Sequence, residues 1–247
     1  MKLVTNGCSF TYGAEILLVE LGYDEIDNGY YKNYRESRTY THHLHNKLKT
    51  TEYENLAMGG SSNKRIIRTT LEYFMPKINQ GIDLSDHIAV IQWSEPFREE
   101  VYHPKTNLYY TLSAQGVWYL PLDREELNET YHDYIKGRLM LDDKNFANQF
   151  MHDTIMMAAF LEFHKIKYVF AHIASSQWKM PELDENYAPN LNWFNKTYKD
   201  SSFRMLIEDN ERKNNISLSY PKKHPNIEGH MCIAESLYKR LQELYNL

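Results

Sequence analysis

Residues 3–13 read Leu-Val-Thr-Asn-Gly-Cys-Ser-Phe-Thr-Tyr-Gly, a short apolar run that Gly7 ends and Gly13 closes. The residues from Lys2 to Asn6 predict a buried β-strand. Because glycine allows backbone angles that a side chain forbids, this strand can end in a tight turn. Such a turn would expose the hydroxyl of Ser9 at the edge of a sheet. The pattern is common, however, and Ser9 can also be read as a simple turn or helix-cap residue.

Further apolar strands alternate with amphipathic helices along the chain. Strands are predicted at residues 53–57, 87–93 and 167–173, with a short last strand at 216–219. Helices are predicted to begin near residues 37, 63, 142 and 226, the last of them running to residue 247. This alternation is typical of a parallel sheet with helices on both faces. We therefore expect one α/β domain, residues 1–247, with three α/β/α layers and about five parallel strands.

Three segments depart from this alternation and are interpreted as insertions, at about residues 14–36, 95–136 and 175–215. The first contains Gly22 and an Asn-Gly pair and predicts irregular structure. The second carries aromatic runs on either side of Gly116, which indicates a β-hairpin with that glycine near its turn. The third is polar and rich in asparagine, so it predicts a loop region.

Composition narrows the function classes. The chain has 247 residues, a net charge of -5 and two cysteines. The negative charge and the lack of a basic run argue against nucleic acid as a partner. We expect no membrane span and no signal peptide, hence a cytoplasmic protein that cell lysis or a virion could still release. No cofactor or metal is expected, since the histidines at 42, 43 and 45 lack carboxylate or cysteine partners. The oligomeric state stays open.

The turns after the first three strands are predicted to meet, because sites in parallel sheets lie at the carboxyl ends of the strands. Ser9, Gly60 and Ser94 follow these strands. At the far end of the chain, residues 224–230 read His-Pro-Asn-Ile-Glu-Gly-His and open the last helix. A serine hydroxyl needs a base that titrates near neutral pH, and histidine is that base. The pairing of Ser9 with His224 therefore predicts nucleophilic catalysis.

These segments resemble three sequence blocks of the SGNH (GDSL-type) hydrolase family. Residues 7–13 are similar to its first block, with Ser9 at the nucleophile position. Residues 55–63 are similar to the second, with Gly60 at the oxyanion glycine. Residues 224–230 are similar to the last, with His224 at the catalytic histidine. The resemblance implies a flavodoxin-like sheet and the hydrolysis of esters such as lipids, acylated sugars or acetylated polysaccharides.

Two residues depart from the family's pattern. The third block reads Gln-Trp-Ser-Glu-Pro at residues 92–96 and lacks the asparagine that donates to the oxyanion. Ser94 or Asn63 could replace it, beside the N–H groups of Ser9 and Gly60. Pro221 stands where the family places the aspartate that supports the histidine. We therefore expect a Ser9–His224 dyad, with a backbone carbonyl, such as that of residue 219 or 221, orienting the ring.

The sequence thus predicts a serine esterase that acts on a small acyl ester, for instance an acetyl group on a glycan. Two alternatives stay open. Cys8 could be the nucleophile in place of Ser9. The chain could also be a non-catalytic binding or structural module that keeps the SGNH fold, for instance a phage accessory protein.

Overall fold

The computed structural model describes residues 1–22, 29–103, 107–113, 116–118, 143–173, 202–221 and 224–247. The strands are β1 Lys2–Asn6, β2 Glu52–Asn55, β3 His87–Trp93, β4 Glu99–His103, β5 Leu108–Ser113, β6 Gly116–Trp118 and β7 Lys167–His172. The helices are α1 Ser9–Tyr12, α2 Ile16–Leu21, α3 Gly29–Glu36, α4 Tyr40–Leu48, α5 Asn63–Asn79, α6 Asp143–Phe163, α7 Phe203–Asn214 and α8 Ile227–Tyr245.

The central sheet has the order β2-β1-β3-β7, and all of its neighbouring strands are parallel. The predicted α/β class is therefore confirmed. Within the described residues the sheet has four strands, not about five. The short strand predicted at 216–219 is wrong, because Ser219 instead forms an isolated antiparallel bridge with Pro225. Beyond β7, the described residues add a single parallel bridge between His172 and Ser202.

Both faces of the sheet are covered, which explains why β3 reads as a nearly continuous apolar run. Successive side chains of a strand point to opposite faces. Ile88 and Val90 accordingly pack into one core with residues of α4, α7 and α8. Ala89, Ile91 and Trp93 pack into the other core with residues of α5 and α6. All seven residues of β3 are buried.

The insertions are more regular than the sequence indicated. The first contains α2 and α3, and the third contains α7, so the prediction of loops was wrong for these helices. The second begins with the antiparallel sheet β4-β5-β6, in which Ser113 is the register partner of Gly116. The predicted hairpin is thus confirmed, while residues 119–142 and 174–201 lie outside the described part of the chain. None of the described helices has the length and apolarity to cross a membrane.

Candidate active site

The first turn holds Ser9 at the start of α1, directly after the buried N-cap residue Cys8. Ser9 itself is partly exposed. A Cβ at Gly7 would lie 2.4 Å from Thr11 Oγ1 and 2.7 Å from Gln92 Oε1. Those distances are too short for a side chain, so the glycine lets β3 approach the turn. Cys8 is buried and packs in the core, which counts against its thiol as the alternative nucleophile.

Gln92 fixes this turn from β3. Its Oε1 accepts from the Cys8 N–H at 3.1 Å and from the Thr11 hydroxyl at 3.0 Å. Its Nε2 donates to the Trp93 carbonyl at 2.6 Å. Gln92 is fully buried, and buried amides are costly unless they are bonded in this way. Sequence reasoning missed this role, although an amide within an otherwise apolar strand was the signal for it.

Two asparagines brace the same turn. Asn6 accepts from the Gly7 N–H at 2.8 Å and donates through Nδ2 to the Ile66 carbonyl at 2.9 Å, which ties the end of β1 to α5. Asn55 donates to the Thr11 carbonyl at 3.0 Å from the end of β2. The turn that carries Ser9 is therefore held by side chains from every neighbouring element, as a preorganised site requires.

The second and third turns meet through Asn63. Its Oδ1 accepts from the Ser94 N–H at 2.7 Å, and its Nδ2 donates to the Ser94 carbonyl at 3.3 Å. The Ser94 hydroxyl is buried and makes no hydrogen bond in the described structure. Gly60 adopts the left-handed φ of 70° that glycine tolerates. The Asn63 amide thus serves the backbone of the third turn, and Ser94 keeps a hydroxyl proton to donate.

The turn before α8 explains the spacing of the last block. Asn226 caps α8 by accepting from the Gly229 N–H at 2.8 Å. Its own N–H donates to the Leu218 carbonyl at 2.9 Å, which closes a short antiparallel turn around His224. A Cβ at Gly229 would lie 2.2 Å from that same Leu218 oxygen. A side chain at position 229 would push the turn that carries His224 away from α8. This is why a glycine is required three residues after Asn226.

The His224 ring is partly exposed and lies beside the first turn. Its centroid is 5.7 Å from that of Phe10, the residue after Ser9, in an edge-on contact. Its Nδ1 is 2.8 Å from Glu15 Oε2, and the Glu15 side chain is only 6% exposed. The expectation that a backbone carbonyl would orient this ring was therefore wrong. The group is a carboxylate, and it comes from the segment interpreted as an irregular insertion.

Glu15 reaches the ring because the backbone reverses after α1. Gly13 has φ 81° and Glu15 has φ 71°, both in the left-handed region. Such a φ is uncommon for a residue other than glycine. No sequence pattern marks an acid six residues after the serine, so this residue was missed. Only the two left-handed positions bring its carboxylate to the other end of the chain.

His230, the last residue of the block, has a structural role. It is fully buried, and its Nδ1 accepts from the Tyr40 N–H at 3.2 Å, which caps the first turn of α4. Burial lowers the pKa of His230 to about 3, with smaller contributions from His43 and His224. The ring is thus neutral in the folded protein, as an acceptor at Nδ1 must be.

This pKa predicts acid sensitivity. The folded pKa lies below the ordinary value of about 6.5, so His230 contributes no penalty above that pH. As the pH falls toward about 3, the unfolded chain binds a proton that the folded protein refuses, and stability decreases by up to about 1.4 kcal/mol per pH unit. Urea unfolding of the parent and of His230→Gln at about pH 7 and about pH 4.5 measures this. The His230→Gln variant should lose less stability on acidification than the parent. His152→Gln, an exposed control on α6, should lose as much as the parent. Equal losses in all three proteins would contradict the role assigned to His230.

The architecture is a three-layer α/β/α fold with its candidate site at the carboxyl edge of a parallel sheet. Residues 19–188 match the model of a family of unknown function, DUF6071, and the chain belongs to that family. No curated protein matches the chain.

Several solved structures are similar to it over nearly the full length. One is described as a lipolytic protein of the G-D-S-L family from Desulfitobacterium hafniense DCB-2, with 10% identity, coverage of 96% of this chain and 98% of that one, and a TM-score of 0.48. Another is a member of that lipolytic family from Veillonella parvula DSM 2008, with 13% identity, 97% coverage of both chains and a TM-score of 0.46. A third is the psychrotrophic esterase EstA from a Pseudoalteromonas species, with 11% identity, coverage of 100% and 99%, and a TM-score of 0.44.

Proposed function

We propose that the protein is a serine esterase that cleaves a small acyl ester, such as an acetyl group on a glycan, with Ser9 as nucleophile and His224 as base. One observation carries this proposal. The His224 ring packs against Phe10, the neighbour of Ser9, while its Nδ1 is engaged by a carboxylate. A carboxylate accepts hydrogen bonds, so Nδ1 holds the proton and Nε2 is left as the basic nitrogen.

The reaction follows from these roles. His224 Nε2 takes the proton of the Ser9 hydroxyl as its oxygen attacks the ester carbonyl, and a tetrahedral oxyanion forms. The intermediate collapses, the alcohol leaves with the proton from His224, and the acyl group stays on Ser9. Water, deprotonated by the same nitrogen, then attacks the acyl-serine, and the acid is released as the ring returns this proton to the Ser9 oxygen. Each proton transfer in this reaction passes through the His224 imidazole, and a side chain that titrates near neutral pH is suited to that role.

The oxyanion would be bound by the N–H groups of Ser9 and Gly60 together with the Ser94 hydroxyl. Ser9 N–H is the first of α1, and such a group has no acceptor within its own helix. The Ser94 hydroxyl is the side-chain donor, because its backbone is held in place by Asn63 and its proton has no acceptor in the described structure. Asn63 then acts as the residue that positions Ser94, with an amide hydrogen left as a further donor.

Ser94→Ala tests this arrangement. Loss of one fixed donor costs on the order of 3 kcal/mol in the transition state, so kcat should fall about 100-fold with little change in KM. Thr154→Val is the matched control, since Thr154 on α6 also has a buried hydroxyl without a hydrogen bond in the described structure. Steady-state kinetics on 4-nitrophenyl acetate give both values. A kcat for Ser94→Ala within a few-fold of the control would remove Ser94 from the oxyanion site.

The proposed reaction itself is tested by two measurements on the parent protein. The purified chain is assayed against acetylated sugars and 4-nitrophenyl esters of increasing acyl length. It is also treated with a fluorophosphonate, and the adduct is located by peptide mass spectrometry. Turnover of short acyl esters with the adduct on Ser9 supports the esterase. Absence of both turnover and adduct would overturn it in favour of the non-catalytic module.

A further inference from the structure

We infer that Glu15 is the positioning acid of this site, which turns the expected dyad into a Ser9–His224–Glu15 triad whose acid follows the nucleophile by six residues. The inference rests on the proposed function. It assigns to the residue just before α2, within the first insertion, the role that the resemblance placed just before the histidine, where this chain has Pro221.

The contact has the geometry of a functional bond. Glu15 Oε2 is 2.8 Å from His224 Nδ1, within the range of a charge-assisted hydrogen bond. The same oxygen is 3.4 Å from the His224 backbone N–H, so it holds both the ring and the chain that bears it. The carboxylate is nearly buried and the ring is only 23% exposed, which limits screening by water. The pair therefore fixes the tautomer and favours the imidazolium that forms during the reaction.

The backbone conformation of Glu15 also supports a functional role for this residue. A left-handed residue other than glycine costs about 1–2 kcal/mol, and this one directly precedes α2. Glu15 makes no side-chain cap to that helix, so helix capping does not account for it. Strained residues persist where the surrounding structure fixes them, and they cluster at functional sites. Here the strain turns the carboxylate back toward the sheet edge and the His224 ring.

A second carboxylate, Glu20 on α2, makes it possible to test separately the docking of the loop and the effect of an acid on the His224 ring. Glu20 accepts from the Tyr220 hydroxyl at 2.9 Å, four residues before His224. Burial, and then Glu20, raise the pKa of Tyr220 well above its ordinary value, so the phenol stays a donor. Glu20 thus docks the same loop without a described bond to the imidazole. Glu20→Gln is therefore the matched control for Glu15→Gln.

The charge around His224 gives the expected sign. Glu15, just before α2, bonds the ring directly, and the neutral His230 lies on α8. The Arg204 guanidinium of α7 lies 6.0 Å from the centre of the Phe10 ring, which in turn contacts His224. Glu15 is the described anion in contact with the imidazole, and its loss makes the charged ring less favourable. The acidic limb of the rate profile should then move to lower pH, because the ring deprotonates more readily. The maximal rate should nevertheless fall, because the imidazolium in the transition state is no longer stabilised.

The experiment compares four full-length variants: Glu15→Gln, Glu15→Asp, Glu20→Gln and the pair Glu15→Gln with Pro221→Asp. For Glu15→Gln, kcat should fall on the order of 1,000-fold or more, with the acidic limb of kcat/KM moved to lower pH by about one unit. Glu20→Gln should lower kcat by less than about 10-fold and leave the acidic limb of kcat/KM at the same pH. This exchange alters one hydrogen bond that docks the loop, while Glu15 still bonds the His224 ring. Partial recovery in Glu15→Asp, or in the Pro221→Asp pair, would support the acid role further.

A proton NMR measurement makes the test independent of turnover. An Nδ1–H that donates to a carboxylate gives a resonance far downfield, which should be present in the parent and in Glu20→Gln but absent in Glu15→Gln. An active parent in which Glu15→Gln matches Glu20→Gln in rate, pH profile and spectrum would overturn the inference while leaving the esterase standing. An inactive, unlabelled parent would overturn the esterase, and the downfield resonance would then still decide whether Glu15 fixes the histidine.

Discussion

Ser9→Ala should abolish ester turnover, with a fall in kcat of about 10⁴-fold or more and no loss of stability. The reason is that alanine removes the side-chain oxygen that attacks the ester, while the oxyanion donors and the substrate site remain. Ser9 is the first residue of α1, and its hydroxyl makes a long contact of 3.8 Å with the Cys8 sulfur, which adds little to stability. Alanine is also the best helix former at such a position.

The measurement combines kinetics, labelling and thermal unfolding. Ser85→Ala is the matched control, because Ser85 is a partly exposed serine in the loop before β3, at the opposite edge of the sheet. It should keep both turnover and fluorophosphonate labelling, which Ser9→Ala should lose. Labelling that persists in Ser9→Ala but disappears in Cys8→Ala would instead make the thiol the nucleophile. Equal turnover in Ser9→Ala and the parent would refute a serine mechanism at this site.

Gly229→Ala should be the most damaging small substitution in the described core of the site. The new Cβ would lie 2.2 Å from the Leu218 carbonyl oxygen, a backbone atom that cannot rotate away. Either α8 or the turn around His224 must move, at a cost of about 3 kcal/mol or more. The bond from Asn226 N–H to Leu218 would weaken with it. Since a displacement of about 1 Å can cost about 100-fold in rate, activity should fall even where the variant folds.

Chemical denaturation and ester kinetics test this prediction together. Gly29→Ala is the control, because a Cβ at Gly29 meets no atom of the described residues within 4 Å and this residue begins a helix. That exchange should be neutral or stabilising by up to about 1 kcal/mol. If Gly229→Ala is as stable and as active as Gly29→Ala, the close packing of the His224 turn on α8 does not matter for the site.

Much of the scaffold could be predicted because its signals are local. The buried strands at 87–93 and 167–173 were found nearly to the residue, since each is an apolar run between polar boundaries. The two long helices on the opposite faces of the sheet, α6 and α8, follow from their apolar spacing and from their length. The third insertion misled because α7 is short and polar on average, with only Phe203 and Ile207 fully buried.

The support around the candidate site could not be predicted, because it depends on contacts between distant residues. Asn63 was one of the two side-chain candidates for the oxyanion, and its amide holds the Ser94 backbone in the structure. Gln92 was read only as part of a departure from a motif, yet it bonds the turn that carries Ser9. The amide in an apolar strand marks Gln92 as unusual, but the sequence does not show which group either residue bonds, since each partner is tens of residues away.

The sequence by itself determined the order of strands and helices, the glycine turn that presents Ser9, and the block that places His224 ahead of the last helix. Those features follow from hydrophobic period and from glycine and capping residues, which act over a few positions. Only the tertiary structure decided which group faces His224. The backbone reversal at Gly13 and Glu15 is stable because the folded sheet brings residues 15 and 224 together, and no local propensity favours a left-handed glutamate.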